Sequence, residues 1–554
     1  MNSGKKRGIS LGILFALGTI LGALCFIIVY GIKVLDFTNT GWLFLGDNDL
    51  RQHYIAWCHY RNDPWHFPIG LIDTLSYPHS MSVIYTDSIP CFAVLFKLFS
   101  RFLPVTFQYF GLFGILSFAL MGGFSCVLLA RFIQNRFAVL VLSLFYILSF
   151  PVIHRMYYHT ALASQWIIIA CLCLWVYDEC IASKVKKVIY WALIGFMCVA
   201  VHSYFLPMCA MILAALMVCQ WIKGNKKTAI FEFAAFCIAG LFNLYILGGF
   251  YGGTSASGLG LGTFGSNLNT FVNPNGLGSI LPTLPLYYDF QYEGMAYLGA
   301  GIIFMLIITI VAALIFIRRK VTIAPFHSDN LYARITIGLV AVSILAATLP
   351  LISFNDIKII QIPYPGFVEK ILGIFRSNGR LIWVAYYIIL TIVISMAYYI
   401  LERYKWILLS TVVACVMLQV TDMSASLLQR HEYFTADHFV STLWEEPELS
   451  ALAEGKSEFI FLYTDNDITL MSAYYGYLNN IRQNNYYYAR DIEGLVQQTI
   501  DDEYKQLGEI KLKKDAVYII TEEEYAKNSE FYEMLPADFV LMDSHVFFTA
   551  GTEL

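Results

Sequence analysis

From Gly46 to Pro68 the chain reads GDNDLRQHYIAWCHYRNDPWHFP, with three Asp, three His and two Arg set among Trp and Tyr rings. This stretch follows the first long apolar run. Ionised groups beside hydrocarbon are costly and mark sites. Asp47 and Asp49 come soon after that run, and Asp87 stands in IYTDSIP further on. Two roles suit such carboxylates. Asp47 or Asp49 would N-cap a helix through LRQHYIAW, and Asp87 one starting at Ser88. Alternatively, one of them is a general base that takes the proton of an attacking hydroxyl. Paired acids also suit a divalent cation, although base chemistry needs neither metal nor cofactor.

Three cations complement these acids. Arg155, Arg376 and Arg380 fall at the ends of apolar stretches, Arg155 beside His154 and close to His159, and the other two flanking SNG. Such an arginine either snorkels to lipid headgroups or grips phosphate oxygens in its planar fork. Seven histidines (53, 59, 66, 79, 154, 159 and 202) map to the same side of the chain's spans. Zinc would need three or four converging ligands, and no close H-x-x-x-H pair is present. His53 and His159, with Tyr54, join the candidate substrate-binding set, and no metal ligand is assigned.

These residues need a scaffold, and the composition indicates its class. The 554 residues are 58% hydrophobic and 14% charged, where a soluble domain carries about 25% charged residues. Apolar stretches of spanning length fall at about 9–31, 105–130, 137–153, 161–177, 188–204, 205–222, 229–248, 297–317, 335–353, 382–401 and 405–422. A span needs about 20 such residues, so the sequence predicts a polytopic α-helical membrane protein of about eleven transmembrane helices. The first run lacks a small-residue cleavage site and is expected to be retained.

Clusters of Lys and Arg at 5–7, 131 and 136, 184–187, 223–227, 318–320 and 403–405 then all fall on one face. The positive-inside rule makes that face cytoplasmic. The acids, the histidines and the three arginines face the other side. There the first loop, 33–104, is long, and Ile89–Leu103 within it suits an interfacial or re-entrant helix. The loop at 354–381 carries an amphipathic GFVEKILGIF.

The transmembrane domain is expected at 1–425 and a small extracytoplasmic α/β domain at 426–554. Strands are predicted at Glu458–Thr464 and Ala516–Thr521, and a strand–turn–strand at the end. Gly260–Gly265 matches G-x-G-x-x-G, but no strand–helix context surrounds it, so a mobile loop fits better than a nucleotide site. Most of the twelve Cys are apolar fillers within spans. Cys58 and Cys91 share the first loop, where free thiols fit better than a disulfide.

The segments GDNDLRQHYIAW…PWHFPIG, YTDSIPCFAVLFKLFSRFLP…FQYFGLF, IHRMYYHTALASQW and FRSNGRLIWVAYY together resemble a group of bacterial membrane proteins of unknown function related to the GT-C glycosyltransferases. The resemblance implies a first external loop with interfacial helices and a catalytic acid near the end of the first span. Asp49 matches that acid best, Asp47 next, and Asp87 stands as a second acid. It also implies a polyprenyl-phosphate-linked sugar donor, with Arg376 and Arg380 at its phosphate, and an envelope glycan, lipid or protein as acceptor. The chain departs from this pattern in lacking the Asp-Glu pair of protein mannosyltransferases. The expected activity is an inverting, GT-C-type glycosyl transfer in the bacterial cytoplasmic membrane, with the N-terminus cytoplasmic. A transporter or flippase, or a non-catalytic assembly subunit for lipid-linked glycans, is the alternative. Charges concentrated at the rim rather than mid-span favour the enzyme.

Overall fold

The computed structural model describes residues 10–44, 48–251, 261–318, 330–440, 443–464, 468–487 and 493–551. Among them, eight helices are long and apolar enough to cross a membrane: Leu11–Tyr30, Phe110–Leu129, Thr160–Cys180, Phe205–Ile222, Lys226–Ile246, Leu331–Thr348, Asn378–Leu401 and Lys405–Thr435. The chain is a membrane protein. The three other expected spans are also helical but differ in kind. The 137–153 stretch breaks into Arg136–Ile147 and Phe150–Arg155. Pro151 falls in the first turn of the second piece, where its missing N–H is tolerated, since its ring cannot continue the first. Twelve residues rise only about 18 Å. The helix Lys184–Val201 opens on three lysines behind a Ser183 cap. Ala300–Arg318 has a shorter apolar core, Ala300–Ile315.

Close packing begins with glycine. Gly18 and Gly22 on the first helix face Gly122 and Phe118 on Phe110–Leu129, and a β-carbon at any of the three glycines would collide with the opposing backbone. This small-x-x-x-small pattern lets two spans approach to backbone contact, the main route to helix adhesion in lipid.

Nine strands are described. β1 (Leu71–Ser76) and β2 (His79–Ser82) form one antiparallel hairpin, and β3 (Leu351–Phe354) and β4 (Ile357–Gln361) another. β5 (Glu458–Phe461), β6 (Arg482–Gln483), β7 (Ala516–Thr521), β8 (Ala537–Met542) and β9 (His545–Ala550) form a mixed sheet in the order β6-β5-β7-β9-β8. β5 runs parallel to β6 and β7, whereas β9 is antiparallel to β7 and β8. The β8–β9 turn places Asp543 and Ser544 at positive φ, the left-handed pair a tight hairpin demands. On one side of the sheet Trp444 stacks on Phe459 at 4.3 Å between ring centres.

The chain divides into two compact units, though not at residue 425. The first comprises 1–36, 109–242 and 258–436. The second gathers 37–108, 243–257 and 437–554, so the first loop folds with the tail. Specific bonds make that union. The Gln52 amide donates to the Tyr487 carbonyl (2.7 Å), and the Tyr486 hydroxyl donates to the Gln52 carbonyl (2.7 Å). The Tyr77 N–H bonds the Gln483 carbonyl at the sheet edge (2.9 Å).

Within the first unit, Asp422 is fully buried. One carboxylate oxygen accepts from the N–H groups of Ser279 (3.0 Å) and Ile280 (2.9 Å), the other from the Tyr297 hydroxyl (2.8 Å) and the Ala300 N–H (2.9 Å). These partners satisfy a buried carboxylate in the helix Lys405–Thr435, which continues past the point where its apolar residues thin out.

In the second unit a buried relay ties the first loop to the tail. The Asp63 carboxylate accepts from the Asp73 N–H (2.6 Å) and lies 3.1 Å from the Thr74 hydroxyl, which lies 2.8 Å from His59 Nδ1. His59 Nε2 is 2.7 Å from the Ala473 carbonyl. Burial pushes the Asp63 carboxyl up to about 6, against the bond from Asp73, and pushes His59 down to about 4. Their pH effects have opposite signs. The raised acid contributes stability present below its unfolded value near 3.9 and lost as pH rises through about 6. The lowered imidazole contributes stability present above its unfolded value near 6.5 and lost as pH falls through about 4. Between pH 4 and 6 the two offset, each on the order of 3 kcal/mol. Asp63→Asn removes the first contribution only. Relative to wild type, its melting temperature in detergent should fall as pH is lowered from 6.5 to 4; parallel profiles would contradict this account.

Candidate functional site

The first unit carries a buried charged cluster built from three segments. Arg155 ends the short helix Phe150–Arg155, whose start is fixed by Pro151. Glu293 lies on the 3-10 turn Asp289–Gly294, closed by a capping box between Tyr288 and Gln291. The next residue, Gly294, leaves no room for a β-carbon beside Ser266, and its carbonyl accepts from the Thr270 hydroxyl (2.7 Å). Arg380 lies on the turn Asn378–Leu381, where the Asn378 amide donates to the carbonyls of Ala346, Ala347 and Leu349. A Trp383 ring N–H to the Met295 carbonyl (3.0 Å) joins this turn's helix to the Glu293 segment.

The three charges meet on one oxygen. Glu293 Oε2 accepts from Arg155 Nη2 and from Arg380 Nε, each at 2.7 Å, and Arg155 Nη2 also reaches the Glu293 carbonyl (3.0 Å). His159 Nε2 lies 3.6 Å from the other oxygen. Relative exposures are 0% for Arg155, 3% for Glu293 and 7% for Arg380. Burial by itself would raise the Glu293 carboxyl; the Arg155 and Arg380 guanidiniums overcome it and hold the group well below the usual carboxylate range. Two guanidiniums share this one carboxylate oxygen. The Arg155 Nε and Nη1 groups are buried and have no hydrogen-bond partner among the described residues. The Arg155 guanidinium faces the Trp383 ring at 5.7 Å, and that of Arg380 faces Tyr204 at 4.6 Å. Arg376 has a different setting, over the Phe264 ring at 5.6 Å.

The candidate acids belong to the second unit. Asp49 is half-buried in the first turn of the helix Asn48–Asn62, where a carboxylate favours the helix dipole. Asp47 lies outside the described residues. His53, on the same helix, is buried, with Nε2 3.8 Å from Asp87 Oδ2. Asp87 does not cap the following helix. That helix starts at Pro90 after Ile89, and no side chain caps it. Asp87 and Ile89 both take positive φ, 50° and 55°, a strained state for a β-branched residue. The Ser88 hydroxyl between them donates to the His53 carbonyl (2.9 Å), which fastens the turn beside the histidine. Tyr54 is fully buried, its ring 5.6 Å from Phe44 and 6.3 Å from Tyr474, so it packs the interior. Cys58 and Cys91 are free thiols.

A family profile described as "Domain of unknown function (DUF6311)" matches residues 19–424. The chain belongs to the DUF6311 family. The matched region contains every site residue named above and ends before the five-stranded sheet. A search of curated proteins returned no match. Among solved structures, the chain is similar to the oligosaccharyltransferase of Archaeoglobus fulgidus in its apo form (TM-score 0.43, 9% identity, covering 100% of this chain and 76% of that one). It is also similar to archaeal oligosaccharyltransferase AglB from Archaeoglobus fulgidus in complex with an inhibitory peptide and a dolichol-phosphate (TM-score 0.46, 9% identity, covering 96% and 74%).

In this DUF6311 member, Glu293 is the site residue that the sequence did not single out. Its signal was a lone acid in YYDFQYEGMAY just ahead of an apolar stretch, on the same side as three arginines that needed a counter-charge. The G-x-G-x-x-G match resolves only in part. Gly260 lies outside the described residues, and Gly262 to Gly265 form a turn closed by a 3.2 Å backbone bond.

Proposed function

We propose that this DUF6311 protein is an inverting membrane glycosyltransferase that moves a sugar from a polyprenyl-phosphate donor to an extracytoplasmic envelope glycan or lipid. The observation that carries this is the Arg155–Glu293–Arg380 cluster. It holds two buried guanidiniums on one carboxylate oxygen, and Arg155 Nε and Nη1 have no hydrogen-bond partner among the described residues. A lipid monophosphate has its charge at that depth and its tail in the bilayer, and paired guanidiniums suit its oxygens.

In the transfer, the bond from the anomeric carbon to the phosphate oxygen breaks and its electron pair leaves with the lipid phosphate. The acceptor hydroxyl oxygen bonds to the carbon from the opposite face, and its proton passes to the Asp49 carboxylate, with Asp47 and Asp87 as supporting acids. Arg155 and Arg380 stabilise the charge growing on the leaving phosphate, the kind of contribution that is usually largest. This chemistry calls for no cofactor. The positive-inside distribution supports an N-terminus in the cytoplasm and a tail outside, in a bacterial inner membrane.

The test is binding of polyprenyl monophosphate to the purified protein in detergent, read by native mass spectrometry. Arg155→Lys and Arg380→Lys keep the charge but lose the fork, and each should weaken binding about tenfold or more. A wild-type protein that does not bind the monophosphate would overturn the proposal.

A further inference from the structure

The β3–β4 hairpin and the segment after it expose an unusual amount of apolar surface. Every residue of β4 is exposed, with Ile357 at 62% and Ile359 at 57%. Phe354, Ile360 and Ile362 are exposed too, and Phe367 reaches 69% on the helix Gly366–Leu372. The hairpin register slips between Ile352 and Ser353, which leaves Ile359 as an extra residue on β4, as in a bulge. A contiguous apolar surface of this kind marks a contact with something other than water.

Its surroundings identify the partner. Leu331–Thr348 ends three residues before β3, and Asn378–Leu401 begins three residues after Phe375. Both neighbours are spans, so the hairpin is tethered at both ends to the membrane boundary. Lys358 and Tyr364 are the residue types that place a polar tip among headgroups above an apolar body. The other strand holds the ribbon in place. The Ser353 hydroxyl accepts from Asn267 (3.1 Å) and Gln291 (2.9 Å), and its carbonyl accepts from the Leu268 N–H (3.0 Å). Gln291 lies on the same turn as Glu293.

We propose that the β3–β4 hairpin and the helix Gly366–Leu372 seat in the lipid surface, with Ile357, Ile359, Ile360 and Phe367 among the acyl chains. The bilayer then sets the depth of the Glu293 turn through Ser353 and Gln291. This is independent of which reaction the protein performs.

The test uses the full chain in phosphatidylcholine nanodiscs. Ile359→Cys is labelled with nitrobenzoxadiazole in a Cys180→Ser background, and unlabelled-site controls are subtracted. Glu530→Cys in the tail serves as an exposed reference. Lipid bearing a nitroxide on its acyl chain should quench the 359 label about twofold more than the 530 label, with aqueous iodide showing the reverse order. Ile357→Cys should repeat the result. Equal iodide quenching at 359 and 530 would place the hairpin in water and overturn the proposal. Oxidative cross-linking of two copies through the thiol of the Ile359→Cys variant would also overturn it, by making the partner a second chain.

Discussion

Glu293→Ala should destabilise the protein by about 3–5 kcal/mol, the usual cost of removing one partner from a buried ion pair. Two guanidiniums converge on a single Glu293 oxygen, and both are buried. Removing the carboxylate leaves two like charges facing each other in a buried site. Desolvation makes an assembled cluster of this kind a weak source of net stability, but breaking it is expensive because the remaining charges cannot be rehydrated. Arg380→Ala added to Glu293→Ala should therefore recover part of the loss, since it removes one stranded cation. The measurement is the melting midpoint in detergent for the single and double variants. If Glu293→Ala melts with wild type, the guanidiniums have another counter-charge and the electrostatic account of the cluster fails.

The second large effect concerns Asp49. Asp49→Asn should lower sugar transfer in proteoliposomes by about 10²–10⁴, the range attributed to a general base, while stability moves within about 0.5 kcal/mol. Asparagine keeps the shape and accepts hydrogen bonds, but it cannot take the proton of an attacking hydroxyl. Asp87→Asn provides the comparison. Its carboxylate faces His53 at 3.8 Å on a strained turn, so that change should alter the pH profile of transfer more than its maximum. Full activity in Asp49→Asn, with Asp87→Asn inactive, would reassign the base.

The membrane helices were legible because their signal is local. A run of apolar residues long enough to span does not depend on anything distant, and each of the eleven apolar stretches holds a helix. Their ends were less legible. The helix Lys405–Thr435 continues past its apolar part, and the buried Asp422 on it takes its donors from Ser279, Ile280, Tyr297 and Ala300. Those partners are more than a hundred residues away in sequence. The same distance hid Glu293, whose burial depends on Arg155 and Arg380 being brought to it. The β3–β4 hairpin was missed because β4, with apolar residues on both faces, lacks the period-two alternation that marks a half-buried strand. Arg155 and Arg380 each bond the Glu293 carboxylate through one nitrogen, with Arg155 Nε and Nη1 left over among the described residues, and Tyr54 packs the interior.

The joining of the first loop to the tail has a consequence for biogenesis. Gln52 and its partner Tyr486 are separated by 434 residues. At synthesis rates of about 5–20 residues per second, the loop emerges roughly 20–90 s before the segment that completes it. The carboxylate-bearing helix must wait through the insertion of nearly every span, with its interior face unpaired. A ribosome that stops before Tyr486 therefore releases a chain whose first loop lacks these bonding partners.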